Sequence, residues 1–209
     1  MLPVETLLSF FAAACLLALV PGPDNIFVLT QAALRGKGAG LLVTLGLCTG
    51  LIGHTVAVSL GIAVIFQTSA LAFSILKYLG AAYLLYLAWQ AFRAATTPID
   101  ATREQTASSA RQLYLRGIIM NITNPKVSIF FLAFLPQFVD PTAGPIQLQM
   151  IILGGLFIIS TILIFGSIAL LAGTLGHWLN RSSRCQRWMN RLAGSVFGAL
   201  ALKLALTSR

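Results

Sequence analysis

The chain has 209 residues, 57% of them hydrophobic and only 9% charged, with a mean hydropathy of +0.88. A soluble domain carries about a quarter charged residues, so this composition excludes a soluble globular fold and describes an integral membrane protein. The net charge of +9 is not a nucleic-acid signal, because the basic residues lie in short loops between apolar runs, the pattern of membrane orientation.

Six apolar segments are long enough to span a bilayer, which takes about 20 residues each. The first covers about 5–31. Glu5 stands where a cleaved signal peptide has a basic region, so the segment is read as a span; the same objection sets aside a lipoprotein reading of Ala12-Ala13-Ala14-Cys15. Its middle is interrupted by Pro21-Gly22-Pro23-Asp24-Asn25. Pro21 cannot donate to the carbonyl of Leu17, nor Pro23 to that of Leu19, so the helix breaks or kinks there. In hydrocarbon each freed carbonyl costs several kcal/mol unless a polar group satisfies it. An intramembrane acid at such a break is a functional-site hypothesis; the plainer alternative is a kinked helix with a satisfied polar pair.

The second span, about 39–66, holds Gly46 and Gly50 at the spacing of close helix packing and also His54. A lone histidine there either bonds a neighbouring helix or relays protons, since its pKa moves easily across neutrality. The third, about 70–92, carries Tyr78, Tyr83, Tyr86 and Trp89 as interface anchors. A polar connector, about 93–113, leads to the fourth span, about 114–139. This one is interrupted by Asn121-Ile122-Thr123-Asn124-Pro125-Lys126, where Pro125 frees the carbonyl of Asn121. The fifth span covers about 147–176. An arginine-rich loop with Arg181, Arg184, Arg187 and Arg191 precedes the sixth, about 188–206, in which Gly194 and Gly198 repeat the small-residue spacing. Lys77 and Lys203 are expected to snorkel to the outer surface.

Ten basic residues fall in loops one, three and five: Arg35, Lys37, Arg93, Arg103, Arg111, Arg116, Arg181, Arg184, Arg187 and Arg191. Lys77, Lys203 and Arg209 are all that the opposite side carries. This asymmetry places those loops in the cytoplasm and both termini outside. Three spans per half, each half opening with a proline-broken helix, read as an inverted repeat. Repeat one is about 1–93, the connector about 94–113 and repeat two about 114–209, all within one transmembrane domain. Broken helices in matching positions of two halves point to a transporter site.

Depth supports pairing the breaks. Asp24 lies eleven residues before Arg35, and Lys126 ten residues after Arg116. At about 1.5 Å per residue both lie roughly 15 Å from the cytoplasmic charges, near the middle of a core about 30 Å thick. A salt bridge or a shared polar cavity is expected there. The chemistry suits a zwitterion. Asp24 and freed carbonyls take an ammonium; Lys126 and the helix start after Pro125 take a carboxylate. The freed carbonyls are those near Leu17, Leu19 and Asn121, which makes Asn121 a candidate binding residue, and Asn25 and Asn124 can bond either end.

Pro21-Gly22-Pro23-Asp24-Asn25, Gly80-Ala81-Ala82-Tyr83-Leu84, Asn124-Pro125-Lys126 and Phe134-Leu135-Pro136-Gln137-Phe138 together resemble the LysE/RhtB family of bacterial amino-acid exporters. The resemblance runs over essentially the whole chain. It implies a six-helix inner-membrane protein exporting amino acids or close derivatives, driven by the proton gradient. The functional positions it implies are Pro21, Pro23, Asp24, Asn25, Asn124, Pro125 and Lys126, with Asp24 tuning substrate choice. Asp24 and His54 are the candidate proton-coupling groups.

Two other classes fit less well. A small ion channel or ion transporter would share the span count. A membrane thiol–disulfide carrier needs a cysteine at each break, and neither break has one. Cys15 and Cys48 read as packing residues, and Cys185, among arginines, as the most reactive thiol. No cofactor or metal is expected, since the only histidines are His54 and His177. No nucleophile–base triad or phosphate loop is present, so an enzyme is not expected. The expected partners are an amino-acid substrate, protons and the lipid bilayer, with a homodimer as the candidate assembly.

Overall fold

A computed structural model describes residues 2–68, 70–94, 109–172 and 183–206. All regular structure among them is helical: α1 (Val4–Leu19), α2 (Pro23–Arg35), α3 (Lys37–Thr68), α4 (Ala70–Arg93), α5 (Ala110–Ile122), α6 (Pro125–Ile129), α7 (Ile146–Leu170) and α8 (Ser183–Leu206). Among the described residues, three helices are long and apolar enough to cross a membrane. Two bent pairs, α1 with α2 and the segment Ala110–Ile122 with Pro125–Phe138, pass the same test together, which gives up to five spans among the described residues.

Both expected breaks are present. The last regular bond of α1 runs from the Val20 amide to the carbonyl of Leu16, at 3.1 Å. The prolines then end the helix, and α2 starts with Pro23 in its first position, where a missing N–H costs nothing. The two axes differ by 63°. At the second break the bend is 48°. There α6 starts with Pro125, and the Asn124 side chain accepts from the Lys126 amide at 3.0 Å. The helix continues as a π turn over Phe130–Phe134 and a 3-10 turn over Leu135–Phe138, where Pro136 cannot donate.

Two expected loops differ at their ends. Residues 110–113 of the polar connector are the first turn of α5. Ser109 and Gln112 form a capping box there, with bonds of 2.7 and 3.3 Å, which satisfies two of the amides a helix start leaves open. The arginine-rich stretch from residue 183 onward is not a loop but the first turns of α8, so Arg187 and Arg191 project from an exposed helical face. Residues 95–108 and 173–182, with Arg103, His177, Trp178 and Arg181, lie outside the described residues, as do Arg209 and the side chains of Arg184 and Cys185.

The helices meet through small residues rather than through apolar burial alone, as lipid-solvated helices must. A Cβ placed on Gly46 of α3 would stand 2.1 Å from the carbonyl oxygen of Tyr114, and one on Gly117 of α5 would stand 2.4 Å from that of Val43. The backbones of α3 and α5 therefore touch. Gly80 of α4 meets the Ala133 side chain, and Gly194 of α8 faces the ring of Phe92; Gly198, at the same spacing, faces open space. α3 also packs along α7, α1 along α7, and α4 along α8.

The buried apolar residues form two clusters. One gathers Phe10, Phe130, Phe131, Phe134, Phe138 and Phe157 with Met150, Leu153 and Leu204. Its rings lie in a continuous chain, from Phe138 to Phe10 at 5.2 Å, Phe10 to Phe130 at 5.9 Å and Phe130 to Phe157 at 5.2 Å. The other joins Val28, Leu29, Val43, Leu47, Leu113 and Phe165. Between them lies the polar cluster.

Candidate functional site at the two helix breaks

The breaks meet. Asp24, the second residue of α2, is 3% exposed and accepts a 2.6 Å hydrogen bond from the side-chain amide of Asn124. Lys126, the second residue of α6, is 8% exposed and donates from Nζ to the carbonyls of Leu17 at 3.4 Å and Val20 at 3.3 Å. Of the two expected arrangements the structure shows the shared polar cavity. Asp24 and Lys126 lie in one cluster and line one cavity. Their hydrogen bonds go to Asn124 and to the end of α1, not to each other.

The physical reason lies in the helix ends. Asp24 sits at the start of α2, where the backbone dipole favours an anion. Lys126 occupies the same position in α6, where a cation is disfavoured, and its long stem carries the ammonium across to the C-terminal carbonyls of α1, where a cation is favoured. The carbonyl of Leu17, freed by Pro21, is thus satisfied as the sequence requires. The second cross-break acceptor is Val20 rather than Leu19. Asn25 adds a third bond at this end, from its side-chain amide to the carbonyl of Ala18 at 2.8 Å. Gly22 makes room for the ammonium: a Cβ there would lie 3.3 Å from Lys126 Nζ.

The three asparagines differ in what they have left to offer. Asn124 is engaged through both side-chain atoms, with Asp24 and with the Lys126 amide. Asn25 spends its amide on Ala18 and keeps a buried Oδ1 without a partner. Asn121, 3% exposed, also has an unpartnered buried Oδ1. A buried acceptor left unpaired costs about 1–3 kcal/mol.

The carbonyl of Asn121, freed by Pro125, takes the Asn124 amide at 3.1 Å and the Nε2 of His54 at 3.3 Å. His54 therefore bonds a neighbouring helix, with its Nε2–H donating, and its ring lies 5.5 Å from that of Phe131. His54 is not among the residues lining the cavity.

The cavity holds about 20 Å³, room for one water and not for an amino acid. Its polar wall is Asp24, Asn121 and Lys126; its apolar wall includes Leu47 of α3 with Phe157 and Phe165 of α7, and Thr161 lies between those two rings in sequence. The sequence reading missed this α7 wall. The signal was present in Ser160-Thr161, two hydroxyls in an apolar run, both fully buried or nearly so.

A family model described as LysE type translocator matches residues 15–208, both breaks included. An uncharacterised membrane protein of Vibrio cholerae is 34% identical over 203 residues, covering 97% of each chain. A homoserine/homoserine lactone efflux protein of Salmonella typhimurium is 36% identical over 197 residues, covering 94% of each chain. A leucine efflux protein of Salmonella choleraesuis is 30% identical over 200 residues, covering 94% of this chain and 93% of that one. No solved structure matches the chain. Apolar helices, two helix breaks clasped around buried charges and a family match over nearly the full length agree: this multi-pass membrane protein belongs to the LysE type translocator family.

Proposed function

We propose that the protein exports amino acids, or close derivatives, from the cytoplasm across the inner membrane as a proton antiporter. The observation that carries this reading is the meeting of an acid, an ammonium and unpartnered amide oxygens at two helix breaks. These are the groups a zwitterion needs, held at the ends of interrupted helices. The relatives named for homoserine and leucine efflux support the substrate class.

In this reading the halves are inverted repeats and α4, 24 residues long, supplies the sixth span. The packing of α3 on α5 and of α1 on α7, with α3 on α7 and α4 on α8, is the pattern that exchange of the two halves generates. With the basic loops in the cytoplasm, both termini lie outside in this reading; a reporter active only outside the cytoplasm, joined after Arg209, should be active.

The contacts support a transport cycle. A substrate carboxylate draws Lys126 from the carbonyls of Leu17 and Val20, and its ammonium competes with Asn124 for Asp24. Each exchange loosens a bond between the halves. The two apolar clusters on either side of the site then part in turn, one opening to each face. Asp24 is the coupling group, alternating between substrate and proton; His54 holds the second break.

Counterflow in proteoliposomes tests the reading. Vesicles preloaded with leucine or homoserine should accumulate the labelled compound transiently. A channel equilibrates label without overshoot, and that result would replace the carrier with the ion-channel alternative. An imposed proton gradient should raise the rate; indifference to it would remove the antiport step.

A further inference from the structure

We infer that Asn121 Oδ1, with Asp24, is the subsite for the substrate's ammonium, and that Gly50 is the residue that positions it. The inference rests on the export reading above and adds a residue role to it. Asn121 lines the same cavity as Asp24, and its Oδ1 is buried without a partner. Native proteins seldom leave such an acceptor unpaired, and its presence beside a carboxylate marks where a donor is missing. Two side chains with acceptor oxygens lining one cavity suit a group with several N–H donors and a positive charge. Lys126 does not fill this place, because its ammonium is turned to the end of α1.

The backbone of Asn121 is fixed by two bonds to its carbonyl, from the Asn124 amide and from His54. The side chain is fixed by contact instead. A Cβ on Gly50 would stand 2.7 Å from both Cβ and Oδ1 of Asn121. Gly50 therefore does more than let α3 and α5 pack: its missing side chain is the space the amide occupies. The cavity is otherwise lined mainly by apolar side chains, Leu47, Phe157 and Phe165 among them. A side-chain cation there would be buried without a counter-charge. The subsite accordingly selects α-amino acids with uncharged side chains.

The test uses purified full-length protein in proteoliposomes, with counterflow of labelled leucine competed by leucine, by its 2-hydroxy analogue lacking the ammonium, and by lysine. In the wild type, leucine should compete at least tenfold better than the other two. Asn121→Ala should raise the half-saturating leucine concentration tenfold or more, change the maximal rate less, and cut the preference for leucine over the hydroxy analogue severalfold, Asp24 retaining the rest. Gly50→Ala should do the same by displacing the amide. Asn121→Asp, which keeps an acceptor in place, should retain the preference, and it decides the matter if the alanine variant does not fold. Undiminished preference in Asn121→Ala, or loss of it in Asn121→Asp, would overturn the subsite while leaving export intact. A wild type that exchanges no amino acid would overturn the export reading and the subsite with it.

Discussion

The side-chain amide of Asn124 reaches the carboxylate of Asp24 at 2.6 Å, joining residues one hundred positions apart. With the bonds from Lys126 to Leu17 and Val20, it ties each break to the other. In these three bonds the second half supplies the donors and the first the acceptors. Stability and transport should therefore depend on the same few contacts.

The bond makes a comparative prediction. Hydrogen bonds to charged groups contribute about 1.5–3 kcal/mol, and contacting residues couple by about 0.5–3 kcal/mol. Double-mutant cycles on melting temperature in detergent should give stronger coupling for Asp24→Asn with Asn124→Ala than for Asp24→Asn with Lys126→Met. The reverse order would mean that the two charges pair directly at rest.

Helix contact offers a second prediction. Gly46→Val places its first carbon against the backbone of Tyr114, a clash no rotamer relieves. Overpacking costs about 1–3 kcal/mol when side chains can yield, and more where the obstacle is main chain. The folded yield should collapse. Gly53→Ala, with nothing within 4 Å of the added carbon, should leave yield and transport unchanged. Size-exclusion profiles in detergent check both.

His54 is expected to matter for structure more than for protons. His54→Gln keeps a donor near the Asn121 carbonyl and should keep transport and its pH profile. His54→Ala should lower stability by about 1 kcal/mol, the net value of one hydrogen bond. A displaced pH optimum in the glutamine variant would make His54 a coupling group.

Asp140, in the loop before α7, gives a pH dependence outside the membrane. The hydroxyl and amide of Thr142, at 2.7 and 2.8 Å from Oδ1, hold its carboxyl below the usual carboxylate range. A depressed folded value means the loop contacts are fully present above about pH 3.9, the ordinary value, and are lost as pH falls through the folded one. Exchange protection of the Thr142 amide should hold at neutral pH and drop only in stronger acid. Asp140→Asn should flatten that dependence.

Much of this was legible in the sequence, because proline acts locally. Pro21, Pro23 and Pro125 announce breaks wherever they fall in an apolar run, and Leu17 and Asn121 could be named as the freed carbonyls. Two opposite charges at one depth then suggest a salt bridge, since charge is read without geometry. Which helix end lies across from Lys126 depends on the 63° and 48° bends, and no pattern of residue types encodes those angles. Ser109 and Gln112 were readable as a capping box and passed for connector. Gly46 and Gly50 were readable as a packing pair. That Gly46 meets main chain while Gly50 meets Asn121 depends on the register of two helices whose parallel approach only the fold sets.

The most direct test of the site is Lys126→Ala, with Lys126→Arg beside it. Loss of the ammonium leaves the carbonyls of Leu17 and Val20 without their donor and removes the group proposed to receive a carboxylate. An arginine fork cannot take the place of a compact ammonium beside Gly22. Counterflow of labelled leucine should vanish in Lys126→Ala and fall at least tenfold in Lys126→Arg, in protein that still inserts and purifies. Exchange at the wild-type rate by Lys126→Ala would contradict a transport site at the two breaks.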